Sequence, residues 1–185
     1  MNKTPEVPEF SRPLELERIG STELREDIAA TAEERAAVAR RFGLLALDRL
    51  SARLRIRRVG RGIVRLEGAF VAELTQSCVI TLAPVRSHLS ETFVQLYAPP
   101  EAGRRPAAAE AVVVDPEAED PPETLHGEVL DLGEAVAQQL AVAIEPYPRA
   151  PGARLEPAAA GEEAPGEEAA GTGPFADLAA LKRRG

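Results

Sequence analysis

Residues 50–65 read LSARLRIRRVGRGIVR, and this stretch decides what kind of fold the chain adopts. Leu50, Ala52, Leu54 and Ile56 alternate with Ser51, Arg53, Arg55 and Arg57, the two-residue period of a strand with one buried face. After a turn at Val59-Gly60-Arg61-Gly62 the alternation resumes, with Val64, Leu66, Gly68, Phe70, Ala72, Leu74 and Cys78 on one side. Arg65, Glu67, Glu73, Thr75 and Ser77 fall on the other. Two such runs about a glycine-containing turn predict an antiparallel hairpin. A further strand over about Val85–Tyr97 follows Pro84 and stops at Ala98-Pro99-Pro100. Upstream, Ser11–Ile19 reads as a first strand, because Leu14 and Leu16 alternate with Glu15 and Glu17.

Two helices flank this β-rich centre. Thr31-x-x-Glu34 is a capping box, since a Thr hydroxyl and a Glu carboxylate at that spacing satisfy the first free amides of a helix. Val38 and Phe42 follow one turn apart, and Gly43 supplies the stop. Asp131-x-x-Glu134 opens the second helix, where Leu132, Val136, Leu140 and Ile144 recur every four residues before Pro146 ends it. The expectation is an α+β domain over residues 10–148, with an antiparallel sheet of about four strands and both helices on one face. Residues 1–9 are expected to be a flexible N-terminus. Residues 99–127, rich in Pro, Ala and acid, read as a mobile acidic loop. Residues 149–173 hold too few large apolar side chains to fold and read as a disordered linker. In residues 174–185, Phe175, Leu178 and Leu181 lie three apart ahead of Lys182, as in a short amphipathic docking helix. Whether that helix docks on its own sheet or on a partner is open at this level.

Composition narrows the function. The 185 residues hold 22 Lys+Arg and 30 Asp+Glu, a net charge of −8. The charge is unevenly spread: residues 35–65 contain ten Arg and one Asp, whereas residues 101–170 contain 16 acids and four Arg. No run of about 18 apolar residues occurs, so no transmembrane helix is expected, and the first 13 residues lack the pattern of a secretory signal. The single cysteine, Cys78, forms neither an internal disulfide nor a zinc site of several thiolates, and a cytoplasmic location is expected. Cys78 shares the alternating face of Phe70 and Leu74 and is expected to be a buried, inert thiol. His88 and His126 sit in no catalytic motif, and no glycine-rich phosphate loop follows a strand. No catalytic residue, cofactor, metal or small-molecule substrate is predicted.

The remaining candidate site is the basic hairpin. Arg53, Arg55 and Arg57 recur about 7 Å apart along one strand face, Arg58 and Arg61 flank the turn, and Arg65 begins the return strand. Such a row suits a phosphate backbone, and equally suits a solvated sheet face that resists edge aggregation. No aromatic residue interleaves these arginines, which argues against base stacking.

Three further segments point to a family. Gln76-Ser77-Cys78-Val79-Ile80-Thr81-Leu82-Ala83-Pro84, then Leu130-Asp131-Leu132-Gly133-Glu134, then Pro174-Phe175-Ala176-Asp177-Leu178-Ala179-Ala180-Leu181-Lys182 occur in that order. This resembles the bacterial YceD family of large ribosomal RNA subunit accumulation proteins. Cys78, Pro84, Asp131 and Pro174 are the matching positions to which the resemblance assigns structural roles. Many members have Cys-x-x-Cys at the first segment; here Thr81 stands at the second position, so a metal role is not available to this chain. The resemblance implies a non-enzymatic part in the synthesis, processing or stability of large-subunit (23S) rRNA, with that RNA or a pre-ribosomal particle as partner. Two mechanisms fit the charge map. The hairpin arginines bind RNA, or the acidic segments escort a basic large-subunit ribosomal protein.

Overall fold

The computed structural model describes residues 8–20, 22–60, 62–99, 122–125 and 127–154. The chain divides into two units, Met1–Pro151 and Gly152–Gly185, and the architecture below is that of the first. Its elements in order are β1 (Pro13–Glu15), a 3₁₀ turn (Leu16–Arg18), β2 (Leu24–Ala29) and α1 (Ala32–Arg41). There follow β3 (Ala46–Val59), β4 (Ile63–Ser77), β5 (Pro84–Ala98), β6 (Glu123–Thr124), β7 (Val129–Asp131) and α2 (Leu132–Ala143). The fold is α+β with two helices, but the main sheet has five strands where about four were expected, in the order β2-β3-β4-β5-β6. Every pairing in it is antiparallel except β5 with β6. A second, two-stranded sheet joins β1 to β7.

The predicted hairpin is the centre of the molecule. Its register sets Leu50 opposite Ala72, Ala52 opposite Phe70 and Ile56 opposite Leu66, so the even-numbered residues of both strands share one buried face. The alternation extends four residues before Leu50 with a change of phase. Leu47 pairs with Leu74 and Arg49 with Glu73, leaving Asp48 as the extra residue of a β-bulge. The bulge lets Leu47 and Leu50, three apart, both face the core. Gly68 sits opposite Leu54 and Phe93, and a Cβ there would collide with the Phe93 ring and lie 2.9 Å from Leu54 Cδ2. Only glycine leaves room for that ring to lie across the sheet.

Two strands depart from expectation. The run Ser11–Ile19 is extended for only three residues, because Leu14 and Ile19 are both buried although five positions apart. An odd spacing cannot keep one face of a strand, and the 3₁₀ turn resolves it. No strand was expected at Leu24–Ala29, whose core-facing positions are Leu24, Glu26 and Ile28. A carboxylate in the middle breaks the apolar signal. Within the interval 99–127, expected to be a loop, the described residues include a short strand: β6 lies parallel to β5, with Tyr97 beside Glu123 and Ala98 beside Thr124.

The helices form as their caps predict. Thr31 Oγ1 accepts from the Glu34 amide at 3.3 Å, and Glu34 Oε2 accepts from the Thr31 amide at 2.8 Å, closing the capping box of α1. Gly43, with φ +65°, takes the left-handed conformation after its last turn. The second helix is capped differently. Asp131 Oδ1 accepts from the amides of Gly133 at 3.0 Å and Glu134 at 3.1 Å, while the Glu134 carboxylate turns away to Arg41. Helix α1 packs on β3 and α2 touches β1, β4 and β5, so Val38, Val136 and Leu140 join the buried sheet residues in one core.

Candidate nucleic-acid interface

The opposite face of the main sheet is open to solvent, and its chemistry follows from register. Arg53, Arg55 and Arg57 project from β3, as alternation requires, and all three are exposed. Pairing sets Arg65, expected from the sequence, beside them and adds Arg25, Arg49 and Arg86, which the sequence reading did not single out. Arg25 of β2 lies opposite Arg55, Arg65 of β4 lies opposite Arg57, and Arg49 precedes them on β3. Arg86 of β5, opposite Thr75, extends the same face. The carboxylates on or beside it among the described residues are Asp27, Glu67 and Glu73, with Asp48 at the bulge and Glu23, which pairs with Arg25 at 2.9 Å. Arginine therefore outnumbers acid on this face of a protein whose net charge is −8.

Glu67 is the local counter-charge. Arg65 Nε donates to its Oε1 at 2.8 Å, and an Arg57 guanidinium nitrogen lies 3.7 Å away. The Arg65 hydrogen bond, opposed by desolvation, holds the Glu67 carboxyl below its ordinary range. Arg53, Arg55 and Arg86 make no ion pair among the described residues. Their guanidinium groups present unpaired charge to solvent, the property a phosphate-binding surface needs.

Not every predicted arginine joins them. Arg58 pairs with Val64 and so leaves from the other side of the strand. Its Nε donates to the Ile19 carbonyl at 2.8 Å and its Nη2 to the Leu16 carbonyl at 2.6 Å, tying the 3₁₀ turn to the hairpin. Two of its three guanidinium nitrogens thus serve the fold. Arg61 lies outside the described residues, as do Pro174, Phe175, Leu178, Leu181 and Lys182 and every acidic residue of 101–121 and 156–168.

Three shallow grooves lie on the arginine face. One of about 550 Å³ is lined by Arg25, Arg53, Arg55 and Thr92, and one of about 430 Å³ by Arg49, Ser51, Val71 and Ser90. They share Asp27, Arg53 and Ala69, and are thus continuous. The third, about 380 Å³, lies between Asp48, Glu73, Arg86 and His88. Phe70, Phe93 and Tyr97 belong by register to the core side, so no Phe, Tyr or Trp side chain among the described residues projects from the groove face.

The motif residues have structural work of their own. Cys78 is fully covered, and the β4–β5 turn folds around it: its amide donates to the Ala83 carbonyl at 2.8 Å and the Leu82 amide to its carbonyl at 2.9 Å. Leu82 takes φ +60° in this turn, and Pro84 begins β5 opposite Ser77. Three amides aim at the sulfur: Ala150 at 3.3 Å, and Ile80 and Thr81 each at 3.4 Å. Led by the Ala150 amide and followed by Thr81, they bring the thiol pKa down to about 6, against the opposing effect of desolvation. Among the described residues, no group of three or more His, Cys, Asp or Glu is placed to hold a metal ion.

Asp131 caps α2 and also accepts from the Arg12 amide at 2.8 Å, joining the N-terminal segment to the second helix. Gly133 sits beneath the Phe10 carbonyl, where a side chain would strike the backbone. Glu134 receives both Arg41 guanidinium nitrogens at 2.8 Å, linking the two helices. The segment Leu130–Glu134 thus locks β7, α2, α1 and the N-terminal strand together.

Comparison with known proteins agrees with the sequence motifs. The family model described as "Large ribosomal RNA subunit accumulation protein YceD" matches residues 66–182, well over half of the chain. No curated protein and no solved structure matches. None of the described helices is long and apolar enough to cross a membrane.

Proposed function

The chain belongs to the YceD family, the large ribosomal RNA subunit accumulation proteins, and from that premise we propose that it supports this RNA by binding it, without catalysis. The single observation behind this reading is the convergence of arginines from four neighbouring strands on one exposed sheet face. Electrostatic contact with phosphates needs such a surface, and releases counterions from the RNA when it forms. Arg53 and Arg55 are the leading contacts, since no carboxylate neutralises them within ion-pair distance among the described residues. Arg57 and Arg65 share Glu67 and contribute less.

The test is a salt series of binding to large-subunit rRNA fragments, with the wild-type chain beside a variant carrying Arg53→Glu, Arg55→Glu and Arg57→Glu. Affinity should fall steeply with salt for the wild type, and the logarithmic slope should be shallower for the variant by about one unit per lost phosphate contact. Absence of binding at low salt would refute the reading and favour the role in which acidic segments escort a basic ribosomal protein.

A further inference from the structure

We propose that the free edge of β5 is a dimer interface, at which two copies of this chain pair their β5 strands antiparallel about Leu89 and join their five-stranded sheets into one. The direction of the backbone groups along that edge follows from two hydrogen bonds. The Cys78 amide donates to the Ala83 carbonyl at 2.8 Å, one residue beyond the Ser77–Pro84 pair, so the odd-numbered residues of β5 turn their amides and carbonyls toward β4. The even-numbered ones turn theirs outward, as the Ala98 carbonyl does in accepting from the Leu125 amide at 2.8 Å. Strand β6 covers this edge at Tyr97 and Ala98. From Pro84 to Leu96 the edge has no strand beside it among the described residues.

The two edges of the sheet are built differently. Strand β2 is six residues long and carries Arg25, Glu26 and Asp27 in succession, the charges that keep an edge from pairing. Strand β5 is 15 residues long, keeps one register with β4 from end to end, and has no Lys and no Pro after Pro84. An edge of that length and regularity is a template for another strand. Val85, Leu89 and Phe93 are half-buried on its core side, with Ser87 and Glu91 between them, and Val94 is 52% exposed on the other.

This sequence complements itself when reversed. Centred on Leu89, the pairing sets Leu89 opposite its own copy, Val85 opposite Phe93, Ser87 opposite Glu91, and Pro84 opposite the exposed Val94. A shift of two residues in either direction sets Glu91 opposite Leu89 or Val85. An odd shift sets outward-pointing backbone groups against inward-pointing ones. The paired span, residues 84–94, stops short of β6, and its outward amides and carbonyls form about ten hydrogen bonds between the copies. The two-fold axis stands normal to the sheet, which leaves both arginine faces on the same side.

Sedimentation velocity of the full chain over about 1–100 μM tests the proposal. A species of twice the mass of the 185-residue chain should grow in with concentration. Its dissociation constant should be on the order of 10 μM, because so narrow a contact buries less than the roughly 800 Å² per partner of a standard interface. Ser90→Pro removes an outward amide and spares the ladder with β4, so it should keep the native circular dichroism spectrum and weaken the dimer by about tenfold or more. Thr92→Arg, which faces Arg86 across the axis from a solvated position, should weaken it too, and adding Arg86→Glu should restore it. Leu89→Cys should form a disulfide-linked dimer on oxidation, since Cα atoms of a non-hydrogen-bonded pair stand about 4.5 Å apart, and Glu91→Cys should not. Cys78 is fully covered and does not compete. A monomer at every concentration would overturn the proposal and leave the edge to another occupant. A dimer untouched by Ser90→Pro and Thr92→Arg would overturn it by placing the interface elsewhere. Cross-linking through Glu91→Cys in place of Leu89→Cys would overturn the register.

Discussion

Replacement of Gly133 by Ala sets two effects of opposite sign against each other. Gly133 lies in the first turn of α2, and by helix propensity alone Ala is better there by about 1 kcal/mol. The surroundings oppose it. A Cβ on Gly133 would overlap the Phe10 carbonyl oxygen and stand 2.8 Å from the Phe10 carbonyl carbon and 3.2 Å from the Arg12 nitrogen. These are backbone atoms and cannot swing aside. Phe10 is fully buried, the Arg12 amide donates to Asp131 at 2.8 Å, and the Leu132 amide donates to the Arg12 carbonyl at 3.0 Å. Relief requires the segment to move by roughly 1 Å. That would loosen a charge-assisted hydrogen bond worth about 1.5–3 kcal/mol and a backbone bond worth about 1 kcal/mol. Set against the propensity gain, the net loss is about 2 kcal/mol. In urea, with a slope near 1.5 kcal/mol per molar, the midpoint should fall by about 1.3 M. Gly20→Ala is the control, because a side chain there meets nothing within 4 Å, and it should shift stability by no more than about 0.5 kcal/mol. A Gly133→Ala protein as stable as the wild type, or more so, would refute the reasoning.

Two further predictions concern arginines that hold the fold. Arg12 grips Glu34 through two hydrogen bonds, at 2.6 and 3.0 Å, and this contact, helped by the Thr31 amide, lowers the Glu34 carboxyl from 4.5 to about 2. A carboxyl with a depressed folded pKa stabilises fully above its unfolded value and loses that contribution as pH falls from about 4.5 toward 2. With Arg12 and Glu34 exposed by 31% and 22%, screening reduces the contribution to about 1–2 kcal/mol. Glu34→Gln should therefore be less stable than the wild type at pH 7 and converge with it near pH 2, as urea midpoints across pH would show. Arg58→Ala removes two hydrogen bonds to carbonyls and should cost about 1–3 kcal/mol by the same denaturation assay. It should leave the salt slope of RNA binding unchanged, and a shallower slope would place Arg58 in the interface after all.

What was legible in the sequence is what depends on near neighbours. The alternation of Leu50–Arg57 and Val64–Leu74 is a local pattern, and so are the Thr31–Glu34 box and the Asp131 cap; each appears in the structure with the predicted type. Strand β2 escaped because Glu26 occupies a core-facing position near the sheet edge, where its carboxylate reaches water and the apolar count falls. The candidate face was half legible. Arg53, Arg55 and Arg57 share a side by periodicity, and Arg49 continues the same phase, but Arg25 and Arg86 join them only through pairing register, a non-local property. Arg58 misled in the opposite sense. Adjacent charges in a strand point to opposite faces, and charge clustering along the chain counts both.

The short strand β6 has a consequence for how this chain tolerates change. Tyr97 and Ala98 pair with Glu123 and Thr124, and the Leu125 amide donates to the Ala98 carbonyl at 2.8 Å, so the chain on both sides of residues 100–121 is fastened to one corner of the sheet. The free energy of closing a segment between fixed ends grows only logarithmically, by about 0.6 kcal/mol for each doubling of its length. That interval is therefore a port: its length can drift over generations, or a reporter domain with adjacent termini can be spliced into it, with the sheet and its arginine face left as they are.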